Sequence, residues 1–226
     1  MKAKRWKNQY IELITTLPDY ILAVHGEEPS AEGLEFLQIK KEQFQEIFVE
    51  LGSGSGCHLV EQARRSPQAL FVGFELRFKR TFLSGKKAKA QHLNNFIVIH
   101  GKAQLIGRFF SPQTISGVYI NFPDPWSKRR WLKHRLLTPT FLAEIHGLLK
   151  PGGFVSYKTD HRDYFQQILE SAQASNLWQV KKLTYDLKES LFQAGNVSSE
   201  FEKLFISKHI PICLLELVKP TSPHRV

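Results

Sequence analysis

The chain has 226 residues, 42% of them apolar and 23% charged, which excludes whole-chain disorder and suits one large domain or two small ones around a buried core. Its net charge of +10 is local: Leu76 to Ala143 holds 13 Lys and Arg and one acid, Asp124, a +12 window on a scaffold of −2, and such a window points to a polyanionic partner, above all nucleic acid. Two distant cysteines, Cys57 and Cys213, exclude a disulfide framework or zinc finger, and no stretch nears the ~20 apolar residues that span a bilayer, so a reduced, cytoplasmic setting is expected.

Residues 1–45 are broken by Pro18, Gly26, Pro29 and Gly33, and are expected to form an N-terminal extension with short helices. From Glu46 the pattern is regular. IFVEL (47–51) is a short apolar run ending at Gly52, which predicts a buried strand. A helix follows over His58 to Arg65, then a strand, ALFVGFE (69–75). Arg77 to Gln91 predicts a basic helix that Gly85 interrupts. NFIVIH (95–100) predicts a third strand and 102–110 a helix. GVYINF (117–122) predicts a fourth strand, Thr138 to Leu149 a helix with Pro139 in its first turn, FVSYKT (154–159) a fifth strand and Arg162 to Ala174 a further helix. WQVKKLTY (178–185) and ICLLELV (212–218) predict a closing strand pair, joined by a polar, functional loop over 186–211. Strands alternating with helices indicate an α/β protein, a mostly parallel central sheet with helices on both faces. Ligands of such sheets bind beyond the C-terminal ends of the strands.

The loop Glu50-Leu51-Gly52-Ser53-Gly54-Ser55-Gly56 lies at such an end. Its glycines permit positive φ and a close backbone approach to a ligand. A dinucleotide fingerprint, G-x-G-x-x-G, needs glycine where this chain has Cys57, which disfavours a nicotinamide oxidoreductase. The G-x-G-x-G present here resembles the first motif of Rossmann-like S-adenosylmethionine methyltransferases, and Glu50 fits that resemblance. Glu75 ends the second strand, where a carboxylate can accept from both hydroxyls of a ribose.

Asn121-Phe122-Pro123-Asp124-Pro125-Trp126 follows the fourth strand. Two prolines limit the freedom of the aspartate between them. Ser127-Lys128-Arg129-Arg130-Trp131-Leu132-Lys133-His134-Arg135 comes next, basic groups interleaved with tryptophan, a composition suited to a phosphate backbone and a stacked base. Lys128, Arg129, Arg130, Lys133 and Arg135, with Arg77, Lys79 and Arg80, are the candidates for phosphate contacts. Cys57 and the histidines read as packing or surface residues without metal-ligand spacing, with His161 near the substrate.

These motifs, with Lys158-Thr159-Asp160-His161 and Ser199-Glu200-Phe201-Glu202, occur in one order from about Glu46 to Leu217. Together they are similar to the bacterial tRNA (guanine-N7)-methyltransferase family. The resemblance implies a Rossmann-like methyltransferase fold with a C-terminal antiparallel strand, residues 46–226 as an S-adenosylmethionine-dependent methyltransferase domain, and 7-methylguanosine at position 46 of the tRNA variable loop as product. It implies Asp124 as the catalytic acid, and Glu50, Gly52, Ser53, Gly54, Gly56, Glu75, Lys102, Asn121 and Asp124 around the donor. It places Lys128, Arg129, Arg130, Asp160, Ser199, Glu200, Phe201 and Glu202 on the substrate, and implies no obligatory protein partner, the chain acting as monomer or homodimer.

Two positions depart from the family. Lys102 stands where an Asp or Asn contacts the donor adenine, and lysine is donor-only. Ser199 replaces a threonine and keeps the hydroxyl. Two alternatives stay open: an exocyclic-amine nucleic-acid methyltransferase, because Asp124-Pro125-Trp126 partly matches the Asn/Asp-Pro-Pro-aromatic motif, and a non-catalytic RNA-binding protein with a methyltransferase fold, to which Lys102 lends its support.

Overall fold

The computed structural model describes residues 8–24 and 29–221. Among them eight strands form one sheet: β1 (Ile21–Ala23), β2 (Glu46–Leu51), β3 (Ala69–Glu75), β4 (Phe96–His100), β5 (Ile115–Asn121), β6 (Leu149–Thr159), β7 (Gln179–Thr184) and β8 (Cys213–Val218). Their order is β1-β4-β3-β2-β5-β6-β8-β7. The first six in this order are parallel; β8 runs antiparallel to β6, and β7 antiparallel to β8. The helices are α1 (Tyr10–Leu13), α2 (Ala31–Glu42), α3 (Cys57–Arg65), α4 (Phe78–Ala90), α5 (Pro139–Leu148), α6 (Arg162–Ala174) and α7 (Glu200–Ser207). The mostly parallel α/β sheet expected from the sequence is what the chain forms.

Alternation along the strands builds a core on each face. Leu70, Val72 and Phe74 of β3 enter one apolar cluster with residues of α2, α5 and α6. Ala69 and Phe71 enter the other with residues of α3 and α4. Both faces of β3 are buried, so it reads as a continuous apolar run rather than an alternating one. β2 sits between β3 and β5, where the order of strands reverses. Such a switch point opens a crevice at the C-terminal ends, and here that crevice lies beyond Leu51, Glu75 and Asn121.

Three expectations need correction, and the helix expected over 102–110 is present in a tighter form. Residues up to 45 are not merely an appendage: β1 adds a parallel edge strand beside β4, and α2 buries Leu37 completely in the main cluster. The expectation over 1–7 and 25–28 lies outside the described residues. Gly85 does not interrupt α4. A Cβ there would stand 2.7 Å from Ile21 Cγ1, so this glycine lets β1 approach the helix. The 102–110 stretch is a tighter 3-10 helix, Ala103–Arg108. The 186–211 linker contains α7, whose N-cap Ser199 accepts a hydrogen bond from the Glu202 backbone N–H at 3.1 Å.

Candidate active site

The glycine loop leaves β2 in a conformation open chiefly to glycine. Gly52, Gly54 and Gly56 have φ of +81°, +59° and +80°. Gly52 and Ser53 donate to the Phe74 carbonyl, each at 2.9 Å, which folds the loop back onto β3. Glu75 is buried at the end of β3. Its two oxygens accept from Gly54 N at 2.9 Å and Arg77 N at 2.8 Å. At Gly56 a Cβ would lie 2.1 Å from Ser84 Oγ and 3.1 Å from the Ser84 Cα. Gly56→Ala is therefore expected to cost about 2–4 kcal/mol through backbone strain and overpacking, read as a lowered unfolding midpoint.

Glu50 is 2% exposed. Its Oε1 accepts from Asn121 Nδ2 at 2.7 Å and lies 3.2 Å from His58 Nδ1, while Oε2 and Asn121 Oδ1 have no partner. His58 is thus not a surface group; it stands behind Glu50.

The Asp124 loop is held from several sides. Phe122 and Trp126 take φ of +53° and +41°, unusual for large side chains, and they bracket the two prolines. Phe122 N donates to the Lys158 carbonyl at 2.8 Å, and Ser127 Oγ lies 3.1 Å from His161 Nε2. The Asp124 carboxylate is exposed and makes no hydrogen bond or ion pair with any described residue.

A cleft of about 700 Å³ joins these loops. Glu50, Gly52, Ser53, Gly54, Glu75, Lys102, Asn121, Asp124, Asp160, Ser199, Glu200 and Phe201 all line it. Five residues of the reading do not, Glu202 among them. Gly56 lies behind the loop, against Ser84. Lys128, Arg129 and Arg130 stand outside on an exposed rim, where Lys128 and Arg130 each lie 4.9 Å from the Trp131 ring centre.

Glu202 is likewise outside the cleft and 0% exposed. It pairs with Lys158 at 2.8 Å and is hydrogen-bonded by Asn196 and Ser198. Burial pulls the Lys158 ammonium below its usual range, against the raising effect of Glu202. Arg135 also leaves the rim: it is 8% exposed, and its guanidinium bonds within the protein rather than awaiting phosphate.

The sequence reading missed a cluster that ties α7 to the glycine loop. Glu200 accepts from Ser55 Oγ, and from Cys57 Sγ at 3.1 Å. Lys87 Nζ reaches Ser55 Oγ and Cys57 Sγ, both at 2.9 Å. Led by the Ser55 hydrogen bond, these contacts hold the Glu200 carboxyl below its usual range. Cys57 is thus a hydrogen-bonding member of the cleft wall, not only a packing residue.

A family model described as "Putative methyltransferase" matches residues 44–215. The chain is 32% identical to the tRNA (guanine-N(7)-)-methyltransferase of Mycoplasma pneumoniae over 80% of its own length and 88% of that protein. It is 37% identical to the one from Mycoplasmopsis pulmonis, over 70% and 77%. The chain belongs to the tRNA (guanine-N(7)-)-methyltransferase family. It is also 31% identical to a bifunctional glycosyltransferase/methyltransferase of Fusobacterium nucleatum, over 89% of this chain but 31% of that protein, so it spans under a third of this longer relative. Among solved structures, the 16S rRNA methyltransferase KamB aligns with a TM-score of 0.59 and 16% identity, covering 84% of this chain and 94% of that one, a likeness of fold. Within this tRNA (guanine-N(7)-)-methyltransferase family member, no described helix is long and apolar enough to cross a membrane.

Proposed function

We propose that this protein transfers a methyl group from S-adenosylmethionine to N7 of a guanosine in tRNA, at position 46 of the variable loop, in the cytoplasm and without an obligatory partner subunit. The observation that carries the proposal is Asp124: an unpartnered carboxylate on a pinned loop, facing a cleft it shares with the glycine loop. Family membership names the methyl acceptor.

The residues present fit the donor. Glu50 Oε2 and Asn121 Oδ1 are buried acceptors without partners at the cleft, suited to an ammonium group. Gly52 and Gly54 offer bare backbone; a Cβ on Gly52 would meet nothing within 4 Å. Glu75 oxygens keep lone pairs for ribose hydroxyls beyond the two backbone bonds they accept. Lys102 lines the cleft and cannot accept from an adenine amino group, so a backbone carbonyl fits that role. When bound, S-adenosylmethionine supplies an electrophilic methyl on a sulfonium sulfur.

Guanine N7 has an in-plane lone pair and no proton, so the protein need not remove one. Its task is orientation, which can contribute up to ~7–11 kcal/mol. The guanine ring gains positive charge as its N7 bonds to carbon, and a carboxylate at Asp124 would offset it. The same carboxylate can instead hold a guanine N–H.

The test is to incubate the protein with unmodified tRNA and labelled donor, digest the product and identify the nucleoside. Label in 7-methylguanosine is expected. Label in another nucleoside would move the assignment to an exocyclic amine, and no label would leave an RNA-binding protein.

On the rim, Lys128, Arg129 and Arg130 are read as phosphate contacts. Replacing any one with alanine should weaken tRNA binding, lower the log–log salt slope by roughly 0.7–0.9, and leave the methylated position unchanged. Titration of tRNA binding against salt checks this.

A further inference from the structure

Among the basic residues from Lys128 to Arg135, one is buried. Arg135 follows the exposed 3-10 helix Arg129–His134, and its guanidinium turns inward. A buried cation is costly unless its donors are satisfied. Here two of its five N–H donors are bonded and its face is stacked, without a carboxylate: no ion pair joins Arg135 to a described acid. Nε donates to the Pro125 carbonyl at 2.7 Å, and Nη1 to Gln167 Oε1 at 2.6 Å. The cation lies 4.3 Å from the centre of the Tyr164 ring. That ring is itself fixed: Tyr164 Oη donates to the Leu137 carbonyl and accepts from Leu137 N, both at 2.8 Å.

We propose that Arg135 is a positioning residue for methyl transfer: it braces the loop against α6 and so sets where the Asp124 carboxylate stands. The inference rests on the methyltransferase reading above. Pro125 adjoins Asp124, and its ring fixes φ, so holding the Pro125 carbonyl constrains the aspartate beside it. Phe122 and Trp126 flank the segment in left-handed conformations. Strain of this kind persists only where the surroundings over-determine it. The bond from Phe122 N to the Lys158 carbonyl restrains one end, and Arg135 restrains the other. Lysine would not serve equally, because a single ammonium cannot span two acceptors in one plane while stacking on an aromatic face. Displacement of a reacting group by about 1 Å can cost about 10²-fold in rate.

The test uses the full chain with Arg135→Met, Arg135→Lys and Gln167→Met. Turnover at saturating tRNA and donor should fall about 10²-fold in Arg135→Met, with the lysine variant partly rescued and Gln167→Met reduced several-fold. The tRNA dissociation constant, its salt slope and a donor stoichiometry of about one per chain by calorimetry should stay at wild-type values, which separates lost positioning from a partly unfolded sample. Should Arg135→Met fail to fold, the lysine and Gln167 variants carry the same comparison. Wild-type turnover in the folded variants would overturn the inference, as would an intact turnover with a salt slope lowered by about one phosphate. Absence of 7-methylguanosine from the wild-type reaction would instead sink the reading on which it rests.

Discussion

Asp124→Ala is expected to lower turnover on tRNA by roughly 10²–10³-fold while leaving tRNA affinity near wild type. The split follows from the loop's construction. The carboxylate is exposed at the cleft and holds nothing else in place, so its removal breaks no described contact. The loop is held by backbone bonds at Phe122 and Pro125 that do not involve the Asp124 side chain. The cations read as holding tRNA, Lys128 to Arg130, are separate side chains on the rim. Asp124→Asn then divides the two roles proposed for the carboxylate. The amide keeps an acceptor for a guanine N–H but carries no charge to offset the methylated ring. Activity near wild type in Asp124→Asn assigns the hydrogen bond; activity as low as in alanine assigns the charge. Single-turnover rates with pre-bound tRNA make the distinction, and full activity in Asp124→Ala would remove Asp124 from the chemistry.

What the sequence revealed about this site depends on how local each cause is. Strands β2 to β5 were legible because a strand buried on both faces is an unbroken apolar run, bounded here by Gly52, Asn94 and Pro123. The left-handed glycines of the first loop and the proline-bracketed aspartate are also local signals. β1 was not legible, since three residues between Pro18 and Gly26 give no periodicity. Gly85 misled because its cause is Ile21, distant in the chain, rather than a break in its own helix. Arg135 misled in the same way. A run of cations is read as one solvated surface, and nothing local says which member turns inward; Tyr164 and Gln167, on another helix, decide it. The start of α7 did have a local signal: Ser199-x-x-Glu202 is a capping-box pattern, read instead as a substrate motif.

That double meaning makes Glu202 the sharper test of the C-terminal segment. Glu202→Ala is expected to destabilise the protein by about 3–5 kcal/mol, since it leaves the Lys158 ammonium buried without its counter-charge. For a chain of this size that corresponds to a drop of roughly 6–20 °C in melting midpoint. The pair itself is weak evidence for net stability, because both charges lost water to form it. Lys158→Met with Glu202→Leu should therefore recover much of the loss. The functional consequence passes through α7. Lys158 lies on β6 and Glu202 on α7, so their bond anchors the helix whose first turn presents Glu200 and Phe201 to the cleft. Glu200 is fastened to the glycine loop through Ser55 and Cys57, so loosening α7 also loosens that wall of the cleft. The double variant should regain its melting midpoint together with tRNA methylation, provided Glu202 acts only as this anchor. If the midpoint returns and turnover on tRNA stays low, Glu202 has a role at the substrate that its buried position does not reveal.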